Sequence, residues 1–295
     1  MKFQILSAAV LTWATASAIE LFFSANPAIA FQLTALGANN QLFLFDSATP
    51  GTTTTVQVTG ADGTFLGIDR RPLNNLIYGL TDTNRIYTID PSTGAATFVS
   101  SLSTPFTGGV LSGVDFNPVP DRLRVVGSNG QNFRINVDTG AVIEDGTVNP
   151  GDPDLTAAAY TNADNDPATG TTLYTIGAAA SQLFIQNPPN NGTQAVVGSL
   201  GIGSVGPVGG FDILTTNGAN LGFAALTVMN STRLFTIDLS SGAATEVGTI
   251  GNGSTPLLGL TASPAAAVPE PTTMAGLALA GAGLAAVRRR LKKTA

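Results

Sequence analysis

Between residues 31 and 262 the apolar residues fall in short alternating runs, each stopped by Gly, Asp, Asn or Pro. Arg85-Ile-Tyr-Thr-Ile-Asp90 shows the type. Ile86 and Ile89 flank Tyr87 and Thr88, and Asp90-Pro-Ser-Thr-Gly94 closes the run as a turn. Ala96 to Val99 then predicts the returning strand of a hairpin. The segment recurs at Arg233-Leu-Phe-Thr-Ile-Asp238, 148 residues later, or about three units of 49. Weaker copies begin at Gln41, Gln131 and Gln182.

Two further strands are expected before each hairpin. Phe65-Leu-Gly-Ile-Asp69 leads to Leu76–Leu80, and Leu111-Ser-Gly-Val-Asp115 leads to Leu123–Val126. Thr156–Tyr160 leads to Leu173–Ile176, and Val208-Gly-Gly-Phe-Asp212 leads to Gly222–Leu226. Four strands in about 45–53 residues are the size of a propeller blade. Complete units are predicted at 65–102, 111–150, 155–200 and 208–250. Residues 31–60 hold three strands without a leading one, and 257–262 hold a leading strand alone. Joined, they make a fifth blade shared by the two ends. The fold class read from the pattern is therefore all-β, a five-bladed β-propeller over 31–264. The closed ring is expected to leave no free edge strand. A six-bladed propeller or an open sandwich is the alternative.

Composition narrows the chemistry. Charged residues are only 11% of the 295, and the chain has no Cys and no His. Disulfides, thiol nucleophiles, imidazole metal ligands and every Ser-His or Cys-His mechanism are thereby excluded. Seven Arg and no Lys against seventeen acids leave residues 31–267 near −10. Such a surface repels nucleic acid and anionic lipid.

The two ends read as addresses. Lys2, the apolar run Ile5–Trp13 and Ala28-Ile-Ala30 have the layout of a signal peptide over 1–30, with a small-x-small cleavage site at Ala28 and Ala30. An N-terminal membrane anchor is the other reading. At the far end, Val268-Pro269-Glu270-Pro271 precedes an uncharged stretch, 272–287, and then Arg288, Arg289, Arg290, Lys292 and Lys293. Sixteen helical residues span about 24 Å, just enough for a membrane helix with snorkelling Arg stems. These three elements in this order resemble the PEP-CTERM sorting signal, here over 265–295. The resemblance implies export, recognition of Pro269, Glu270 and Pro271 by an exosortase-like enzyme, and an inner-membrane stage. It further implies sorting to the surface or extracellular matrix of a Gram-negative-type bacterium.

Four constellations could carry chemistry. Asp69, Asp115 and Asp212 each follow a Gly by two residues at the end of a leading strand. Leading strands line a propeller's channel, so the three carboxylates could converge at one mouth and hold Ca²⁺, which favours many oxygen ligands. The local alternative is that each caps its own turn. Tyr160 and Thr261 are read as their equivalents in the other two blades. Asp164 and Asp166, in an acidic loop with Asp152 and Asp154, resemble a calcium loop in composition but not in spacing. Arg122 and Arg124 alternate along one strand and could take a carboxylated sugar, against an ordinary pairing role with nearby acids. The recurring aromatics, Tyr78, Tyr87, Phe133, Phe184 and Phe235 among them, are read as blade core.

Gly113–Val126, Gly130–Gly140, Ala157–Thr161 and Gln186–Gly192 resemble an uncharacterised domain family of exported bacterial proteins. That likeness carries no catalytic residues with it. The expected function is a non-catalytic binding or scaffold domain for exopolysaccharide or envelope partners, with no cofactor other than a possible Ca²⁺. The alternative is a carboxylate- or Ca²⁺-dependent hydrolase of lactonase or glycosidase type.

Overall fold

The computed structural model describes residues 30–149, 154–164, 166 and 168–263. The expected signal peptide and membrane helix 272–287, the sorting motif and Asp152 lie outside the described residues. The first strands are β1 (Gln32–Gly37), β2 (Gln41–Asp46) and β3 (Thr53–Gln57). Blade 1 holds β4 (Phe65–Arg70), β5 (Ile77–Thr81), β6 (Arg85–Ile89) and β7 (Ala96–Ser101). Blade 2 holds β8 (Ser112–Asn117), β9 (Arg122–Gly127), β10 (Asn132–Asn136) and β11 (Ala141–Glu144). Blade 3 holds β12 (Leu155–Tyr160), β13 (Leu173–Gly177), β14 (Gln182–Gln186) and β15 (Gln194–Ser199). Blade 4 holds β16 (Val205–Thr216), β17 (Ala219–Val228), β18 (Ser231–Ile237) and β19 (Ala244–Thr249). The last strand, β20 (Leu257–Ser263), joins the first three in the order β20-β1-β2-β3, so one blade is built from both ends of the domain. All pairings within the five sheets are antiparallel.

The core lies between blades, where apolar faces of neighbouring sheets meet. Phe116, Leu123 and Phe133 of blade 2 pack on Leu66, Tyr78 and Leu80 of blade 1. Phe211, Ala224 and Phe235 of blade 4 pack on Ala159, Ile176 and Leu183 of blade 3. The recurring aromatics read as blade core are buried, with Tyr78 edge-on to Phe116 at 5.4 Å. Inner strands come closer than side chains allow. A Cβ on Gly113 would sit 2.5 Å from the Ala158 backbone nitrogen, and one on Gly67 2.6 Å from Val114 Cγ2. The glycines in the leading strands are there because neighbouring strands crowd.

The absence of free edges was expected and is not what the sheets show. Ring closure joins β20 to β1, but β3, β7, β11, β15 and β19 each remain the outer edge of a separate four-stranded sheet. A turn from the next blade covers part of the edge instead. Across blades 5 and 1 the Thr59 N–H donates to Gly94 O and the Ala96 N–H donates to Thr59 O; the Ser103 N–H donates to Gly140 O, and the Ala244 N–H donates to Leu200 O. The Gly94, Gly140 and Gly242 turns need positive φ (76°, 73° and 80°), which favours Gly at these repeat positions.

Candidate functional site

Inner strands β4, β8, β12, β16 and β20 run side by side around the channel, from a glycine-lined waist to a polar mouth. At the waist the free space is only about 10 Å³, at the limit for one water. The mouth is therefore a cup, open at one face. It encloses about 110 Å³, lined by Asp69, Asp115, Asp212, Arg70, Tyr160 and Thr261 among others.

The three aspartates do converge. All are buried, and one oxygen from each lies within 4.8 Å of the others. They do not merely cap their own turns. Asp69 Oδ2 accepts the Phe116 N–H at 2.7 Å, Asp115 Oδ1 accepts the Tyr160 N–H at 2.9 Å, and Asp212 Oδ2 accepts the Ala262 N–H at 2.5 Å. In each case the donor belongs to the next blade. Thr261 continues the pattern: its hydroxyl accepts the Arg70 N–H at 3.2 Å and donates to Asp69 Oδ1 at 3.1 Å. Four of the five blade junctions are thus stitched at the same height of the inner strand.

The fifth junction corrects the sequence alignment. Asp115 faces Arg124 across its hairpin, and the corresponding pair in blade 3 is Ala159 with Tyr174. The ring position is therefore Ala159, not Tyr160, and a methyl group accepts nothing from blade 4. Blades 3 and 4 are tied further out, where Asn162 and Asn220 exchange hydrogen bonds at 2.9 and 2.7 Å. Tyr160 is instead the residue whose N–H is accepted.

Burial pushes all three carboxyls above the usual carboxylate range. The charge of Asp212 adds to this at Asp69, and those of Asp69 and Asp212 add at Asp115. Among the described residues none of the three is in an ion pair. Arg70 lines the same cup, but its Nη1 donates to Asn75 O at 2.7 Å and its Nε is buried without a partner.

The remaining predicted groups do not join the mouth cluster. Asp164 Oδ1 accepts the Asp166 N–H and Asp166 Oδ1 accepts the Ala168 N–H, so these exposed carboxylates fold their own loop. Arg124 has zero exposure. It donates to Tyr160 Oη, Asn132 Oδ1, Asp145 Oδ2 and Asn190 Oδ1 at 2.6–3.0 Å. The ligand-facing role expected of it fails because Asp145 and the blade 3 loop close over the guanidinium. Arg122 donates to the carbonyls of Pro120 and Asp121. The pairing reading of the arginines fits better: Arg71 also clamps Asp121 and Asp138 of blade 2 and lies over the Tyr78 ring.

No curated protein matches the chain. Among solved structures it is similar to a structural genomics protein of unknown function from Bacteroides thetaiotaomicron VPI-5482, with 17% identity and a TM-score of 0.44 over 74% of this chain and 57% of that one. It is similar also to the computationally designed Ika8 protein (10% identity, TM-score 0.37, 75% and 60%). The same holds for BamB from Moraxella catarrhalis (15% identity, TM-score 0.32, 72% and 56%). The chain spans under two thirds of the length of each. Residues 267–290 match the PEP-CTERM protein-sorting motif, which indicates export, C-terminal membrane anchoring before processing, and processing by an exosortase. Residues 41–261, most of the propeller, match the domain of unknown function DUF4394, and the chain belongs to that family.

Proposed function

We propose that the propeller is a non-catalytic scaffold, displayed outside the cell, whose channel mouth holds a divalent cation, Ca²⁺ by the chemistry of its donors. The observation that carries this reading is the convergence of Asp69, Asp115 and Asp212 within 4.8 Å, buried and with no ion-paired base. Arg70 brings one positive charge beside Asp69 and Asp212, and the rest of the cluster needs protons or a further cation. The donor set fits the ion. Calcium–oxygen bonds of about 2.4 Å put two ligands on one ion at most about 4.8 Å apart, and carboxylate with water is the set that Ca²⁺ takes. Each carboxylate gives an oxygen to the next blade, and Asp69 accepts from Thr261 with its other one, so the cation would tighten the ring it sits in. Loops around the mouth are then free to meet exopolysaccharide or an envelope protein.

The size of the cup weighs against the hydrolase. Pockets for small-molecule ligands enclose roughly 300–1,000 Å³. The cup encloses about 110 Å³, which suits an ion and its waters and not a sugar or lactone ring. Calorimetric titration of the exported protein with Ca²⁺, and then with the producing cell's matrix polysaccharide, tests the reading. Saturable calcium heat that Asp115→Asn removes is expected. Absence of calcium heat overturns the cation site, and turnover of a glycoside or lactone overturns the non-catalytic assignment.

A further inference from the structure

The cup and Ser263, the last described residue, lie on the same side of the propeller. β20 runs from the waist at Leu258 and Gly259 to the mouth at Thr261 and Ala262, and Ser263 is its last residue. Gln32, at the start of β1, pairs with Ser263, so both ends of the domain leave at the mouth face. Among the described residues the waist has room for about one water at most, so anything larger enters the cup from the mouth face. The sorting motif begins within a few residues of Ser263.

We propose that the mouth face cannot turn away from the membrane while the C-terminal anchor is attached, and that macromolecules reach the cup more readily once the anchor is removed. Chain length enforces this. Residues 264–271 can span at most about 28 Å, at about 3.5 Å each. To bring the opposite face to the attachment point, the tether would have to cross the blade and descend its height. Crossing takes three strand spacings of about 4.8 Å, near 14 Å, and descending a seven-residue strand takes about 23 Å. The required path of about 37 Å exceeds the reach of the tether. Sideways tilting remains open to the domain, but inversion does not. The cup would admit ions equally in both states, whereas a polymer-sized ligand would meet it less often on the anchored form. This deepens the mouth-site reading, yet the orientation stands apart from cation binding.

The absence of cysteine makes a clean test. Leu73, in the mouth-side loop after β4, is 62% exposed, and Val119, in the loop after β8, is 40% exposed. Met229, in the turn after β17 at the opposite face, is 85% exposed, and Thr83, in the turn after β5, is exposed too. Full-length chains carrying Leu73→Cys, Val119→Cys, Met229→Cys or Thr83→Cys would be anchored in vesicles and treated with a maleimide on a large polyethylene glycol. The mouth-side pair is expected to react several-fold more slowly than the far pair. Proteolytic release of the tail is expected to bring all four to one rate. A small maleimide should label all four equally in both states, which controls for folding. Equal rates before and after release, or protection of Met229→Cys, would overturn the proposal. Neither result bears on whether Ca²⁺ binds.

Discussion

Exchanging Asp115 for Asn separates the two roles of the mouth carboxylates. Asn keeps an oxygen for the Tyr160 N–H, now accepted at 2.9 Å, and removes one negative charge from the cluster. Two unit charges 4.8 Å apart repel by about 3.5 kcal/mol at an effective dielectric of 20. Asp115 has two such neighbours, so at that separation full ionisation sets a repulsion of about 7 kcal/mol, which partial protonation reduces. In EDTA at neutral pH, Asp115→Asn is therefore expected to melt above the parent. Calcium should reverse the order. With the weak affinities of extracellular modules, a Kd of about 10⁻⁴–10⁻³ M, 10 mM Ca²⁺ stabilises by about 1.4–2.7 kcal/mol. For a domain of this size that is about 3–11 °C. The parent gains that shift and Asp115→Asn does not. Asp115→Ala strands the buried Tyr160 N–H and should melt below both in EDTA, by about 1–3 kcal/mol. Thermal melts of the three proteins with and without Ca²⁺ decide the matter. An Asn variant less stable than the parent in EDTA would mean that the carboxylates only stitch blades, and the electrostatic argument would fail.

Acid should act in an unusual direction. Asp69, Asp115 and Asp212 titrate above their unfolded values, so the native state holds extra protons. Their contribution is full below the ordinary carboxylate range, near pH 4, and is lost as pH rises through the raised values. In EDTA, the parent's melting temperature should fall relative to the triple Asp→Asn variant as pH climbs from about 4 to 8; a gap that does not change with pH would refute this. Arg124→Met should cost about 3–5 kcal/mol in urea unfolding because it leaves Asp145 and the polar groups around it short of a partner, while Arg122→Ala should cost under about 0.5. Equal costs would place both arginines at the surface. Gly113→Ala should cost about 1–3 kcal/mol, since the new Cβ meets Ala158 backbone, whereas Gly206→Ala meets nothing nearer than Thr227 Cβ at 3.1 Å and should cost less; the reverse order by melting would discredit the crowding account.

The repeat was legible because blades 1 and 4 reuse one hairpin with one turn, Asp-x-x-Thr/Ser-Gly, which blade 2 varies as Asn136-x-x-Thr139-Gly140. Asp90 and Asp238 show why the turn persists: each accepts N–H and hydroxyl groups of the following serines, which holds their pKa low, to about 2 at Asp238. Convergence of Asp69, Asp115 and Asp212 was legible too, from their shared place after Gly. Blade 3 was not. Its leading strand, Leu155-Thr-Ala-Ala-Ala-Tyr160, has no Gly to set the phase, so Tyr160 stood in for Ala159 by a slip of one residue. In a strand such a slip exchanges the two faces. The fate of Arg124 was hidden for another reason. Strand alternation says which side chains share a face, but only the arrangement of blades shows that Asp145 and Asn190 close over it.

Stitching and the proposed cation site draw on the same carboxylates, and this links the mouth to the closure of the ring. Asp212 reaches the Ala262 N–H, one residue from the end of β20, and Thr261 couples that strand to Asp69 of blade 1. Any pull on the C-terminal anchor arrives first at Ser263, where β20 is held by its pairing with β1 from Gln32 inward. The next restraints are the carboxylates of Asp212 and Asp69. A cation shared by these groups would resist peeling of the closing strand, and peeling would separate two of the three ligands. By linkage, whatever stabilises the closed ring must raise affinity for the ion by the same factor. The weak junction between blades 3 and 4, where Ala159 accepts nothing, lies away from the pulled strand. The ring thus places its carboxylates on both sides of the closure and omits one at a junction the anchor does not load directly.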